Sequence, residues 1–428
     1  MTRSVLLFAG MAALFVLTGL TQSWSLALTV LNMGVISAIM ALGVNMQWGY
    51  AGLFNIGVMG FVALGGLGVV LTSTAPVAGA MAAGGWRILL ALAVGVLIVL
   101  GAVALWRRGG RLRAPAVILV LVAGFFAFRA LLDPGVAGVE AINPTVQGNI
   151  GGLGLPVLLA WPVGGLLAAL AAWGIGKTAL GLRSDYLAIA TLGIAEIVLA
   201  VLRNEEWLAR GVKNVIGLPR PVPYEVDLQQ SARFTGWMAD LGIDPATGAS
   251  LAVKLGYLGL CGSVLALVML LAELALHSPW GRMMRAIRDN EIAAGAMGKN
   301  VKHQHLKIFI IGSAVIGIAG AMMTTLDGQL TPASYQPLRY TFLVWVMVIV
   351  GGSGNNWGAM LGGFLIWWLW VMVEPIGAGV LSAITAPMSD GWLKSHLHDG
   401  AAHMRLLTMG VILLLVLRFS PRGLIPER

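Results

Sequence analysis

Residues 278–300 read SPWGRMMRAIRDNEIAAGAMGKN, a polar, helix-forming stretch held between strongly apolar segments. Ser278 suits an N-cap because its hydroxyl can accept from an early backbone N–H. Pro279 fits the first helical position with its fixed φ, and Gly298 supplies a left-handed stop. The stretch therefore predicts one short helix with both ends specified. Arg285 stands four residues before Asp289 and Arg288 three before Glu291, spacings that let these charges pair along one side. Met283, Ala286, Ile287 and Met297 are then left for contact, so the helix reads as a cytosolic handle that needs a partner.

The chain around this handle uses lipid as its main solvent. Of 428 residues, 58% are hydrophobic and 11% charged, against roughly 25% charged in a soluble domain. The formal charge of +9 fits basic residues at membrane boundaries and does not call for nucleic acid. Cys261 is the one cysteine and lies in an apolar run, which excludes an intrachain disulfide or a cysteine-based metal cluster. His303 and His305 stand two apart, off a shared helix face, with no carboxylate to complete a ligand set, so no metal site is expected.

Apolar runs predict an all-α, polytopic bundle of about 10 to 12 helices in a single transmembrane domain over 1–428. The first covers about 5–22 and reads as a retained helix, since no small-residue cleavage site follows it. The second, about 27–47, ends in NMQWGYAGLFNIG, which places Asn45, Gln47, Tyr50, Asn55 and three glycines between apolar flanks. A broken helix lining a polar path explains this, and so does a plain loop with close helix packing. Further helices are expected at about 54–74, 87–106, 115–132, 154–175 and through TLGIAEIVLAVL, where Glu196 falls mid-helix. A carboxyl there serves a pathway, or ties two helices through a hydrogen bond; the residues leave both open. Residues 204–252 read as a long, ordered outer loop, because prolines and aromatics accompany the charges. Helices at about 253–275, 308–326, 340–352, 357–374 and 403–418 complete the set. An outer loop is expected at 375–402, and GGSGNNWG forms a second glycine-rich interruption.

With the N terminus inside, the Lys and Arg at Arg3, 107–113, 177–183, 282–307 and the C-terminal RFSPRGLIPER fall on the cytosolic side, 16 of the 27 in all. This bias puts both termini and the handle in the cytosol.

GLRSDYLAIATLGIAEIV, the handle with VKHQHLKIF after it, and WVMVIVGGSGNNWGAMLGG together resemble the M-type permease subunits of branched-chain amino acid ABC importers. The likeness covers about residues 35–74 and 154–374 and includes NVIGLPRP, similar to the start of that family's long periplasmic loop. It implies a bacterial inner-membrane subunit that is not itself an enzyme. The implied partners are a second homologous permease, two ABC ATPases that hold ATP and Mg, and a periplasmic binding protein. No GxxxxGK[ST] occurs in this chain, in keeping with an ATP site elsewhere. The resemblance also implies that 278–298 is a cytosolic coupling helix seated in an ATPase cleft. Its contact residues would be Ser278, Gly281, Arg282, Arg285, Ala286, Arg288, Glu291, Ala293, Ala294 and Gly298. Glu291, Ala293, Ala294 and Gly298 approximate the family's Glu-Ala-Ala pattern with its following Gly, with Ile292 as an extra residue.

For the solute path we expect Asn45, Gln47, Tyr50, Asn55, Tyr186, Thr191 and Glu196, since polar groups are scarce elsewhere in these helices. Two segments depart from the family. Residues 75–153 contain an extra helix pair and outer loop, and ARGVKN stands where relatives often have a Thr-Gly-Gly element. A urea or short-amide permease would carry the same motifs. A secondary transporter would need more intramembrane charge than Glu196 alone.

Overall fold

A computed structural model describes residues 2–427 except 109, 111–112, 144–147, 387–390, 393–399 and 401–402. Among the described residues nine helices are long and apolar enough to cross a membrane, and the segments Val58–Ser73 and Leu338–Gly351 are shorter apolar ones. The first half comprises α1 (Thr2–Thr21), α2 (Trp24–Ala51), α3 (Val58–Ser73), α4 (Trp86–Arg108, entered through a π turn), α5 (Arg113–Glu140), α6 (Val157–Ala179) and α7 (Ser184–Asn204). An outer cap follows, built from α8 (Glu206–Ala209), β1 (Val215–Ile216), α9 (Glu225–Gln230) and α10 (Ala232–Asp240). The second half holds α11 (Pro245–His277), α12 (Pro279–Asp289), α13 (Glu291–Ala296), α14 (Val301–Asp327), β2 (Gln329–Leu330), α15 (Leu343–Gly351, entered through the π turn Leu338–Phe342), α16 (Asn356–Thr385) and α17 (Met404–Phe419). β1 and β2 form one antiparallel pair, Val215 opposite Leu330.

Helix α2 is apolar all round and is buried almost throughout, as a helix with no polar face must be. It packs on α16, α14, α11 and α15, while α14 also packs on α6 and α3. Small residues let these backbones approach closely. A Cβ added at Gly65 of α3 would fall 2.0 Å from the Gly317 carbonyl oxygen of α14, and one at Gly320 would fall 2.2 Å from that of Val62. Helices α4 and α5 stand apart from this centre. They pack on one another and share a small apolar cluster of Ile88, Ala91, Leu132 and Val139 with Trp207 of α8.

Several boundaries differ from expectation. Helix α2 runs on to Ala51, so the first interruption is only Gly52–Gly57. Helix α5 continues through Pro134 to Glu140, where Gly84 lies flat against Gly135 and holds the turn that the proline weakens. Helix α16 passes Pro375 and reaches Thr385, steadied by an ion pair of Glu374 with Arg405 and by Gly377 against Met404. Neighbouring helices make such prolines tolerable within a bundle. The expected outer loop 375–402 is thus helical in its first part, and most of its remainder lies outside the described residues. Helix α11 begins at Pro245, capped by Asp244, which accepts from the Thr247 N–H at 3.0 Å. The expected single handle helix is two, because Asn290 leaves the helix and caps α13 by accepting from the Ala293 N–H at 2.9 Å.

Gly65→Leu should prevent the α3–α14 contact and destabilise the fold by about 1–3 kcal/mol or more. Gly101→Leu, at a position with open space around it, should leave stability unchanged. Thermal unfolding of the two detergent-purified variants checks this contrast.

Candidate functional site

The two glycine-rich interruptions meet. Gly52 closes α2 in the left-handed conformation at φ 69°, where a Cβ would be strained. Asn55 then organises the turn. Its Nδ2 donates to Gln47 Oε1 at 2.8 Å, its Oδ1 accepts from the Gly57 N–H at 2.9 Å, and its carbonyl accepts the Trp345 indole N–H at 2.9 Å. Gln47 Nε2 in turn donates to the Phe309 carbonyl at 3.0 Å and to Ser313 Oγ at 2.9 Å. The Ile56 N–H donates to Thr191 Oγ1 at 3.1 Å. The chain can leave helical geometry here because side chains from α7, from α15 and from Asn55 itself replace the lost backbone bonds.

The second interruption, Gly352–Asn355, sits against the first through Asn45. Asn45 Oδ1 accepts from the Gly354 N–H at 2.8 Å, and its Nδ2 donates to Asn356 Oδ1 at 3.2 Å. The Tyr50 hydroxyl donates to that same Asn356 oxygen. Asn356 Nδ2 donates to Glu273 Oε1 of α11 at 3.1 Å. A Cβ on Gly49 would lie 2.4 Å from the Gly354 nitrogen, so backbone meets backbone at this point.

The C-terminal strap, residues 420–427, closes the same junction. The Leu424 and Ile425 N–H groups donate to the carbonyls of Val350 and Gly351 at 2.8 and 2.9 Å, and Asn355 Nδ2 donates to the Pro426 carbonyl at 3.1 Å. Helix α12 is tied to both sides by one side chain. Arg288 Nη1 donates to the Gly49 carbonyl and to Glu427 Oε2, the latter at 2.8 Å, while its Nε donates to Asp289 at 3.1 Å. Burial works against the Arg288 charge, yet Glu427 and Asp289 outweigh it and hold the guanidinium above its ordinary pKa.

Ser278 caps α12 as the sequence suggests, accepting from the Gly281 N–H at 3.2 Å, and Gly298 is left-handed at φ 78°. The expected pairs Arg285–Asp289 and Arg288–Glu291 do not form among the described residues. Asp289 and Glu427 take Arg288 instead, because the bend at Asn290 turns Glu291 away. Gly281, Met284 and Ile287 bury the inner side of α12 and Ala294 that of α13. Arg282, Ala286, Glu291 and Ala293 face outward beside exposed Ile292 and Met297, and Arg285 is half-buried. A cavity of about 220 Å³ lies behind, among Gly52, Ser184, Arg288, Glu291 and His305.

The residues expected to line one path separate into three groups. Asn45 and Tyr50 join Asn356 and Glu273; Gln47, Asn55 and Thr191 form the first turn's network; all five are buried. Tyr186, 61% exposed, and Glu196, also exposed, lie on the outer face of α7 with Ile189 and Gly193. Glu273, Asn356, Arg288's contact with Gly49, and Glu427 were missed as one unit. Their signal was present only as Asn356 inside GGSGNNWG and as a Pro- and Gly-rich, charged tail after the last helix.

Comparison with known proteins gives the family. Residues 26–417 match the family described as branched-chain amino acid transport system / permease component. The high-affinity branched-chain amino acid transport system permease protein LivM of Escherichia coli is 30% identical over 253 residues, 58% of either chain. This chain thus spans less than two thirds of that relative's length. The probable branched-chain amino acid transport permease protein LivM of Methanocaldococcus jannaschii is 26% identical over 391 residues, 91% of this chain and 90% of its own. The permease protein LivH of Salmonella typhimurium is 26% identical over 168 residues, 38% of this chain and 46% of its own. No solved structure matches. A match over most of the length, on a bundle whose two interruptions converge beneath a polar helix, means that the chain belongs to the branched-chain amino acid transport system permease family.

Proposed function

We propose that this chain is the membrane-spanning permease subunit of an ABC importer that moves branched-chain amino acids inward across the bacterial inner membrane. Two partner ATPases hold ATP and Mg, a periplasmic binding protein delivers the solute, and a second homologous permease completes the membrane unit. Both termini and α12–α13 lie in the cytosol, in keeping with the basic residues gathered there. The observation that carries the reading is Arg288, which bonds directly to the last turn of α2 at Gly49, just before the first interruption, and through Glu427 to the strap on the second. A displacement of α12 by an ATPase seated on Arg282, Glu291, Ile292 and Ala293 is thereby transmitted to both broken helices as a rigid-body movement.

The second permease covers the outer face of α7. Tyr186, Ile189, Gly193 and Glu196 lie along it at helical spacing, and all are exposed in the single chain. A carboxyl at the middle of a span costs about 2.5–3.5 kcal/mol against lipid, so this face suits a protein seam with a polar path. Gln47, Asn55 and Thr191 stand behind it as its support.

Reconstituted with its partner chains, the transporter should take up labelled leucine and leave labelled urea outside; the reverse would overturn the substrate class. Replacing Arg285 and Arg288 together with Glu should leave membrane insertion intact while binding-protein-stimulated ATP hydrolysis no longer drives uptake. Normal uptake coupled to hydrolysis in that variant would sink the role given to α12. Glu196→Leu should lower uptake at least about tenfold with the chain still inserted; unchanged uptake and unchanged co-purification of the second permease would remove α7 from the seam.

A further inference from the structure

A second polar site lies away from the interruptions, among the π turn before α15, the middle of α16 and the start of α17. There Leu338, Arg339, Trp367, Trp370, Val371 and Arg405 enclose a cavity of about 350 Å³. Three nitrogens at its wall, Arg339 Nε, Arg405 Nε and Trp367 Nε1, are buried and find no acceptor among the described residues. Trp367 is only 6% exposed. A buried donor left unmade costs about 1–3 kcal/mol, and three in one small space is a concentration that an acceptor ligand would relieve.

The two guanidinium groups are held in place by stacking. Arg339 lies 5.2 Å over the Tyr340 ring and 5.6 Å over that of Trp367, and Arg405 lies 5.8 Å over that of Trp370. Glu374 takes a terminal nitrogen of Arg405 and leaves its Nε. Arg339 has no ion pair among the described residues; the carboxyl of Asp327 acts on it only from a distance. Among the described residues the wall therefore offers unspent donors and one positive charge without an ion pair.

Position selects the ligand. Arg339 precedes Gly351 by 12 residues, Trp367 follows Asn356 by 11 and Arg405 precedes Phe419 by 14. At 1.5 Å per residue these distances are about 16–21 Å from the ends that meet at α12. In hydrocarbon about 30 Å thick, the cavity falls in the half of the bilayer away from α12, within an arginine's reach of its surface. Its rim is Leu338, 41% exposed, and α17, whose Leu406, Leu407 and Val411 are exposed. The opening thus faces lipid.

We propose that this cavity binds the phosphate of an anionic phospholipid, its oxygens accepting from Arg339, Arg405 and Trp367 and its acyl chains lying along α17. A free oxyanion, such as inorganic phosphate or the carboxylate of leucine, shares the donor chemistry but not the apolar rim.

Native mass spectrometry of the detergent-purified full chain, titrated with phosphatidylglycerol or phosphatidylcholine of matched chains, reads the site. One phosphatidylglycerol should be held about tenfold more tightly than phosphatidylcholine. Arg339→Gln should abolish that preference. Trp367→Phe keeps the ring, removes the indole donor and should weaken the preference about threefold or more with helix content unchanged. Equal retention of the two lipids by the wild-type chain, or the same preference in both variants, would overturn the proposal. So would displacement of the bound lipid by inorganic phosphate or leucine, which would assign the donors to a solute.

Discussion

A backbone N–H or carbonyl left without a partner in an apolar interior costs several kcal/mol, and this chain breaks two helices inside the bundle, where Asn45, Gln47 and Asn55 are fully buried. Everything near the breaks follows from that cost. Asn55 supplies a donor and an acceptor where the helical ladder stops, Gln47 links it to α14, and Thr191 receives the Ile56 N–H from α7. The second break borrows its partners from Asn45 and from the C-terminal strap. A break satisfied from α2, α7, α14 and α15 cannot shift without moving them. Asn45, Gln47, Asn55 and Thr191 thus hold two bends together. The polar face left without such a duty is that of α7.

The same constraint explains the periphery. Helices α4 and α5 have no interruption and no buried polar side chain. They need only lipid and each other, and they touch the rest of the protein through Trp207 and the turn at Gly151, where Ile150 donates to the Trp207 carbonyl at 3.0 Å. A hairpin that satisfies its own backbone makes no demand on the junction.

Composition and apolar runs carried the fold class, since a span must be long and apolar wherever it lies. The helices α4 and α5, both glycine-rich breaks and the caps at Ser278 and Gly298 were also legible, because each depends on residues within a few positions. What escaped depends on residues far apart. Pro134 and Pro375 read as helix ends, yet close packing at Gly84 and Gly377 carries α5 and α16 past them. Arg288 was matched to Glu291 by spacing, whereas its stronger partner, Glu427, is 139 residues away. Asn356 likewise receives Asn45 from 311 residues away. Local spacing predicts which pairs are possible on a helix; it does not weigh them against a partner brought in by a strap.

Arg288 shows why that distant partner matters to mechanism. An exposed ion pair contributes about 0–1 kcal/mol and yields easily to solvent, so a handle held by surface pairs would slide on the bundle. Arg288 is half-buried, bonded at once to a backbone carbonyl in the last turn of α2, beside the first break, and to a carboxylate anchored beside the second. Pulling it from either leaves a partly buried charge or a backbone carbonyl short of a partner, at a cost of about 1–3 kcal/mol. The stiffness of the link comes from this cost. A helix that cannot leave its two contacts cheaply must carry them along, which is the property a coupling element requires.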